Sequence, residues 1–293
     1  MLKIIKILRF FFTFLLFWVS IQFGEVVEDS IAYFLVITIG VLHGANDLII
    51  LSKSNRSKKN VLFKYLVIYL SIIFACILIY FISAFVSILF FILISAYHFG
   101  EEYFSDELDT KKFFNQVYFL VYGLVIFSML FFNSKADVDQ IMFDLVGKSF
   151  RDVEIKFSLT ASSILLVVLS VYNYFKNRMQ LRNLIKEVFF LFFLFLVFKT
   201  TSLILGFAVY FILWHSLPSI IHQILFISTD FSKKSIILYL KKAFLYWLIS
   251  AISIFLLYVF LPDIKLFASI LFVILFAVTA PHMWVMHKMK TSE

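Results

Sequence analysis

VLFKYLVIYLSIIFACILIYFISAFVSILFFILISAYHF, residues 61–99, is an apolar run that carries a single charged side chain, Lys64. A helix crosses the hydrocarbon core of a bilayer in about 20 residues. The run is therefore too long for one crossing, and it predicts two membrane helices joined by a tight hairpin near Ser83. Helices that are apolar on every face lie either in a bilayer or in the core of a large protein.

The composition of the whole chain favours the bilayer. Of its 293 residues 63% are hydrophobic and only 15% are charged, whereas soluble domains contain about 45–50% apolar residues. A soluble fold of this size has too small an interior to bury so much apolar surface. This excludes a soluble enzyme, a secreted disulfide scaffold and a nucleic-acid-binding protein. The lone Cys76 forms no disulfide within the chain.

The same length criterion, applied to the rest of the sequence, predicts an all-α polytopic membrane protein. We expect a bundle of about ten transmembrane helices (8–10) in a single integral membrane domain, residues 1–293. The first apolar run follows three basic residues but no small-residue cleavage site follows it, so we expect it to remain as a span. The predicted spans are residues 8–24, 31–51, 61–82, 83–100, 115–133, 157–175, 185–200, 201–227, 243–261 and 264–286.

The distribution of lysine and arginine predicts the orientation of these spans. An even number of spans puts both termini on one side, and we assign that side to the cytoplasm. Nineteen of the 26 basic residues then lie inside, six lie outside and Lys64 lies within a span. Basic residues favour cytoplasmic loops, so the net charge of +8 is a signal of topology. The chain is expected to be a multi-pass protein of the cell (inner) membrane.

Four histidines share a direction and a depth in this topology. His43, His98, His215 and His282 fall on predicted spans that all run from outside to inside, in the cytoplasmic half of the bilayer. Ionisable groups inside a membrane are costly, and they commonly mark functional sites. A single buried histidine is often only a packing residue, but four at a similar depth favour a metal site.

Two of these histidines are followed by a carboxylate four residues later, on the same helix face. Asp47 follows His43 in this way, and Glu102 follows His98. A metal-bound histidine usually donates its second ring N–H to such a group. Asp47 and Glu102 are therefore predicted to support the metal ligands, although Asp47 could instead be a helix-end residue facing the cytoplasm.

The remaining two histidines are less easily placed. His222 follows His215 by seven residues, on the same face but roughly 10 Å along a straight helix. His287 lies beside Lys288 and Lys290 at the end of the last predicted span, and we expect it to be solvated. Imidazole ligands suit Zn, Cu, Fe or Ni. The sequence lacks the paired histidine boxes of membrane di-iron desaturases, so a mononuclear site is the better prediction.

At these positions the sequence resembles the Brp/Blh family of bacterial and archaeal membrane β-carotene 15,15′-dioxygenases. The resemblance extends from residue 40 to residue 282 and rests on four motifs in order. These are GVLHGAND (residues 40–47), SAYHFGEE (95–102), WHS (214–216) and PH (281–282).

The resemblance implies a polytopic helical protein whose histidines hold a ferrous iron, Fe(2+). It implies cleavage of the central double bond of β-carotene with O2 into two retinals, which supply microbial rhodopsins. Matched to the motifs, His43, His98 and His215 are the implied iron ligands, with the polyene held in a phenylalanine-rich tunnel. The family's further histidine, one turn after Trp-His, is Ser219 here, so the fourth ligand is His222 or His282, or the set stays at three.

Two other classes of function stay open on the sequence. One is a transporter or channel whose buried histidines relay protons or bind a transported ion. The other is a catalytically silent paralogue that acts in rhodopsin assembly, an alternative that the serine at position 219 motivates. Iron bound in stoichiometric amount would distinguish the enzyme from the transporter, and retinal formed in β-carotene-producing bacteria would distinguish it from the silent paralogue.

Overall fold

A computed structural model describes residues 2–54, 61–261 and 264–291 of the chain. Within these ranges the protein consists of helices and short connections, and no strand occurs. The α-helices, in chain order, are α1 (Leu2–Gln22), α2 (Glu25–Leu35), α3 (Val41–Gly44), α4 (Asp47–Ser54), α5 (Val61–Ile82), α6 (Ala84–Phe104), α7 (Phe113–Asn133), α8 (Lys135–Val146), α9 (Asp152–Phe175), α10 (Leu181–Thr200), α11 (Leu203–Ala208), α12 (Leu217–Ser228), α13 (Lys233–Phe260) and α14 (Ile264–Thr291). Two π-helical segments interrupt them, π1 (Val36–Gly40) and π2 (Val209–Ser216).

Eight helices in the described part of the chain are long and apolar enough to cross a membrane. They are Ile5–Gln22, Glu25–Lys53, Phe63–Ile82, Ala84–Phe104, Phe113–Asn133, Asp152–Phe175, Leu203–Ser228 and Lys233–Phe260. A multi-pass, all-helical membrane protein is thereby supported. Helices α10 and α14 occupy the other two predicted spans, and the count of about ten stays a prediction. So does the cytoplasmic side of the termini, and Arg56, Lys58 and Lys59 of the charge argument lie outside the described residues.

The hairpin predicted in the long apolar run is present. Helix α5 ends at Ile82 and α6 begins at Ala84. The Ser83 hydroxyl accepts a bond from the N–H of Val86 at 3.4 Å, and the Ser83 carbonyl accepts one from Ser87 at 3.0 Å. Serine is favoured at such helix starts because its oxygen satisfies an N–H that has no partner in the helix.

The chain divides into two compact units, which we describe separately. The first comprises Met1–Tyr33 and Ile92–His215, and the second comprises Phe34–Phe91 and Ser216–Glu293. The expectation of a single domain stays a prediction.

In the first unit α7 is the central helix. It packs along α9 and also contacts α8, α10 and α11. Two glycines let α6 approach it closely: a Cβ on Gly100 would lie 2.0 Å from the carbonyl oxygen of Phe119, and a Cβ on Gly123 would lie 2.0 Å from that of Ala96. Small residues allow this kind of backbone approach between membrane helices. The second half of α6, which carries His98, is thereby held against α7.

In the second unit α14 packs against α4 and α5, and α13 packs against α3, α12 and α14. Their shared core is apolar and largely aliphatic. It contains Ile50, Leu51, Ile224, Tyr239, Val285 and Met286, all buried. This core places α3 and α14, the helices of His43 and His282, in one packed body.

Both long helices that carry a motif histidine near their middle are irregular. In the span Glu25–Lys53, π1 precedes His43, and residues 45–46 form a turn before α4 begins at Asp47. In the span Leu203–Ser228, π2 contains His215 and is followed by Pro218 within α12. Single π turns inside helices are frequent at functional sites.

Candidate metal centre

His43 and His282 face each other in the second unit. Their Nε2 atoms are 2.8 Å apart, and the two rings cross at 63° with centroids 4.4 Å apart. Both side chains are buried, with 3% and 5% of their surface exposed. A neutral imidazole has one N–H and one lone pair, so in this contact one Nε2 donates to the other.

Asp47 supports His282. Its two carboxylate oxygens lie 2.8 and 3.0 Å from His282 Nδ1, and the Tyr69 hydroxyl donates to Oδ2 at 3.0 Å. An ionised carboxylate only accepts hydrogen bonds. His282 therefore carries its proton on Nδ1 when it is neutral, and the lone pair is on Nε2, the atom that faces His43.

The sequence spacing predicts that Asp47 supports His43, four residues earlier, and this stays a prediction. The structure places the same carboxylate against His282, a histidine on another helix. Gly44 lies beside that contact, and a Cβ at this position would be in ordinary van der Waals contact, 3.9 Å from His282 Nδ1 and 4.0 Å from Asp47 Oδ2.

His98 and His215 form a second pair, in the first unit. Their ring centroids are 4.6 Å apart at an interplanar angle of 75°, and both side chains are buried. Aromatic rings surround His215: Phe99 lies 4.7 Å away, and Phe211 stacks on it at 5.8 Å and 18°. One side of His215 is accordingly covered by aromatic rings.

Trp214, the residue before His215, is held by contacts with α1. The indole N–H of Trp214 donates to Thr13 Oγ1 at 3.0 Å, and the guanidinium carbon of Arg9 lies 4.9 Å from the centre of the Trp214 ring. Both partners are on α1. These contacts orient the backbone of π2 at the point where it presents His215.

The other predicted site residues are distributed as follows. Glu102 is buried on α6, and its support of His98 stays a prediction. His222 is half-buried on α12, and its role as a ligand stays a prediction. His287 is exposed near the end of α14, as expected. Ser219 is fully buried, and its hydroxyl lies 3.8 Å from the sulfur of Met286.

The donor chemistry of the two pairs fits a transition metal. In each pair the buried imidazoles offer nitrogen donors, which suit iron, zinc, copper or nickel. A carboxylate hydrogen-bonded to the remote nitrogen of a ligand histidine is the usual support for such a metal, and Asp47 stands in that relation to His282.

A family model described as beta-carotene 15,15'-dioxygenase matches residues 34–290. The chain belongs to this family. The resemblance inferred from the four motifs is thereby confirmed, and membership of the beta-carotene 15,15'-dioxygenase family supports a carotene dioxygenase at family level. No curated protein and no solved structure matches the chain significantly.

All four motif histidines lie within the region that the family model matches. The matched region contains His43, His98, His215 and His282, and it excludes α1. A dioxygenase family suggests a metal cofactor and a carotenoid substrate, and the buried histidines could bind the metal.

Sequence reasoning missed three polar residues next to His43 and Asp47. Gln223 donates to the carbonyl of His43, Tyr239 contacts Gln223, and Tyr69 donates to Asp47. Each is a polar group inside a long apolar helix, and that signal could have drawn attention to them. Their partners could not be read from the sequence, because every one of these bonds joins different helices.

Proposed function

We propose that this chain is an iron-dependent dioxygenase that cleaves the central 15,15′ double bond of all-trans-β-carotene with O2. Each of the two retinals takes one oxygen atom, so the reaction balances without an added reductant. We place the enzyme in the cell (inner) membrane, where its product would supply the chromophore of a microbial rhodopsin. The main support is a buried His–His–Asp arrangement, His43–His282–Asp47, in a chain of the β-carotene dioxygenase family.

For the metal we propose ferrous iron bound by four histidines, His43, His98, His215 and His282. The first three follow from the family motifs, and His282 faces His43 within the second unit. For the fourth ligand we prefer His282 to His222, because His282 has a carboxylate on Nδ1 and directs Nε2 at His43. Bound iron would supply the activation of O2 that a dioxygenase requires.

The residues around the ligands have separate tasks in this proposal. Asp47 fixes the tautomer of His282, so that its Nε2 lone pair is available without a proton being lost. The apolar rings of Phe99 and Phe211 beside His215 exclude water, which protects reactive oxygen species from side reactions. These rings also form a wall against which a polyene can lie.

The substrate argues for a membrane site. β-Carotene dissolves in lipid, and a carotenoid can reach buried histidines from the bilayer without crossing water. The position of the polyene relative to the metal then decides which double bond is cleaved. A wall of phenylalanine rings can hold a conjugated chain without offering it a polar partner.

The experiment is expression in bacteria that produce β-carotene, with chromatography of the extracted retinoids. We expect bleaching of the cells and retinal as the main product. Activity in isolated membranes should be lost on treatment with a ferrous chelator and restored by Fe(2+), but not by Zn(2+). His43→Ala, His98→Ala and His215→Ala should each abolish retinal formation, whereas His287→Ala should leave it unchanged.

The opposite results would contradict the proposal. Protein present in the membrane without retinal would favour the silent, rhodopsin-assembly alternative. Purified protein that functions in transport without iron would favour the transporter. Full activity in any one of the three alanine variants would remove that histidine from the ligand set.

A further inference from the structure

The helix that carries His43 is interrupted directly after it. Helix α3 ends at Gly44 and α4 begins at Asp47. The N–H of Ala45 donates back to Leu42 at 3.2 Å, and the next bonds, from Ile49 and Ile50, go to the carbonyl of Asn46. Such a break leaves carbonyl groups in need of donors from outside the helix. Across the break, His43 and Asp47, four residues apart, contact different nitrogens of His282.

Two side chains from other helices contact the carbonyls before the break. Gln223 Nε2 of α12 donates to the carbonyl of His43 at 3.0 Å, and the Tyr239 hydroxyl of α13 lies 3.3 Å from the carbonyl of Leu42. The two side chains are joined to each other, since Tyr239 donates to Gln223 Oε1 at 2.8 Å. Both are fully buried.

The orientation of the Gln223 amide follows from these contacts. A carbonyl oxygen can only accept, so the nitrogen of the amide must face His43. The oxygen of the amide then faces Tyr239, whose single phenolic proton goes to it in the shorter of its two contacts. The chain Tyr239–Gln223–His43 therefore has one consistent direction of donation. Turning the amide over would set two acceptors, Gln223 Oε1 and the carbonyl of His43, against each other.

The same network holds α13 in place. Asn46, in the turn, donates from Nδ2 to the main-chain carbonyl of Tyr239 at 3.3 Å. Gln223 is within 3.5 Å of both the Ser219 hydroxyl and the sulfur of Met286. Each of these neighbours is buried, so water cannot readily replace a lost bond, and the loss of one costs the full penalty of an unsatisfied group.

We propose that Gln223 and Tyr239 are positioning residues of the metal centre, which hold the main chain of His43 so that its Nε2 meets that of His282. The inference rests on the metal site in the proposed function. It goes beyond that function by assigning a role to two residues that neither bind the metal nor touch the substrate. Their effect passes through the peptide carbonyl next to the ligand.

The alternative is that these bonds only stabilise the packing of the second unit. Trp247 provides a matched control that tests this alternative. This side chain is also on α13 and donates from Nε1 to the carbonyls of Ile37 and Thr38, at 3.2 and 3.1 Å. Those carbonyls belong to π1 on the same long helix, upstream of the histidine. Trp247→Phe removes a comparable bond without touching the peptide of His43.

The experiment compares the full-length wild type with Gln223→Leu, Tyr239→Phe and Trp247→Phe in detergent. Fe(II) affinity is measured by anaerobic titration with the metal alone, and thermal unfolding is followed in parallel. Gln223→Leu and Tyr239→Phe should each weaken Fe(II) binding by about tenfold, in the range found for residues that support a ligand. The Fe(II) affinity of Trp247→Phe should stay within about twofold of the wild type, even if its unfolding temperature falls as much as that of the other two variants.

Two further readouts separate positioning from stability. Because the two residues form one chain of bonds, the double variant should bind Fe(II) no more weakly than the worse single variant. In metal-free protein, amide hydrogen exchange over residues 42–47 should be faster in both variants than in the wild type. Tyr239→Phe keeps the aromatic ring, so this variant tests the positioning role if Gln223→Leu does not fold.

The outcomes are distinct. If the wild type binds Fe(II) and both folded variants bind it with the same affinity, the positioning role is overturned and the proposed function stays intact. Equal weakening in Trp247→Phe would also overturn it, since packing alone would then explain the effect. A wild type that binds no Fe(II) would contradict the iron-dependent function and, with it, the inference.

Discussion

His282 Nδ1 lies 2.8 Å from one carboxylate oxygen of Asp47 and 3.0 Å from the other, although the two residues are 235 positions apart in the chain. The contact joins α4 to α14 inside one compact unit. It fixes which nitrogen of a neutral His282 holds the proton, and so leaves the lone pair of the other nitrogen for a metal. Several measurable consequences arise from this pair and its neighbours.

Replacing the carboxylate should weaken metal binding without removing it. Asp47→Asn keeps the shape of the side chain and loses its charge, so the His282 tautomer is held less firmly. We expect Fe(II) affinity to fall roughly 10- to 100-fold, with activity recovering at high iron. Titration with Fe(II) and retinal assays at graded iron concentrations measure this. The matched control is Asp109→Asn, an exposed carboxylate, and equal loss there would refute the assignment.

The fourth ligand can be decided by two alanine substitutions. His282→Ala should abolish stoichiometric iron binding and retinal formation. His222→Ala should leave both within about twofold of the wild type, because it is His282 that places Nε2 against that of His43 and Nδ1 on Asp47. Iron per protein and retinal per cell are the two measurements. The reverse pattern would assign the ligand to His222 and leave His282 as a packing residue.

The close approach of α6 and α7 should tolerate no side chain. Gly100→Ala puts a Cβ at a point 2.0 Å from the Phe119 carbonyl oxygen, so the helices must separate. We expect a loss of at least about 1–3 kcal/mol, the usual cost of overpacking, and a lower unfolding temperature in detergent. Gly24→Ala is the control, since nothing lies within 4 Å of its added methyl group. Equal stability of the two variants would contradict the packing described here.

The ring stacked on His215 should affect the substrate more than the metal. Phe211 is half-buried and stacks on His215 at 5.8 Å. Under the proposed function, Phe211→Ala should reduce retinal formation by about tenfold or more, because the polyene is less well positioned. Its Fe(II) affinity should stay within about twofold. Phe81→Ala serves as control, since 79% of the Phe81 side chain is exposed. Unchanged turnover in Phe211→Ala would remove this wall from the substrate site.

Much of the fold was predictable because it depends on local hydropathy. The run 61–99 could only be two membrane helices, and the break near Ser83 is where the structure has it. The break between α10 and α11 likewise follows Lys199 and two threonines. The start of α13 was misplaced: it begins at Lys233 rather than at residue 243, since lysines can extend from a helix end into the interface.

The histidines themselves were also predictable, because a buried ionisable group in an apolar run is conspicuous in one dimension. Their pairing was not. His43 meets His282, and His98 meets His215, whereas common depth in the membrane said only that all four lie at a similar level. Which helix faces which depends on packing, and in the first unit on contacts such as that of Gly100 with Phe119.

The sequence by itself determined that the chain is rich in apolar helices of membrane-spanning length, where most of them lie and which family the chain resembles, since each of these depends on composition, local runs or short motifs. Only the tertiary structure decided that Asp47 serves His282 and that Gln223 and Tyr239 hold the main chain of His43. A hydrogen bond between helices requires both helices to have the right rotation and depth. No local pattern contains that information, because it arises only when the apolar faces pack together.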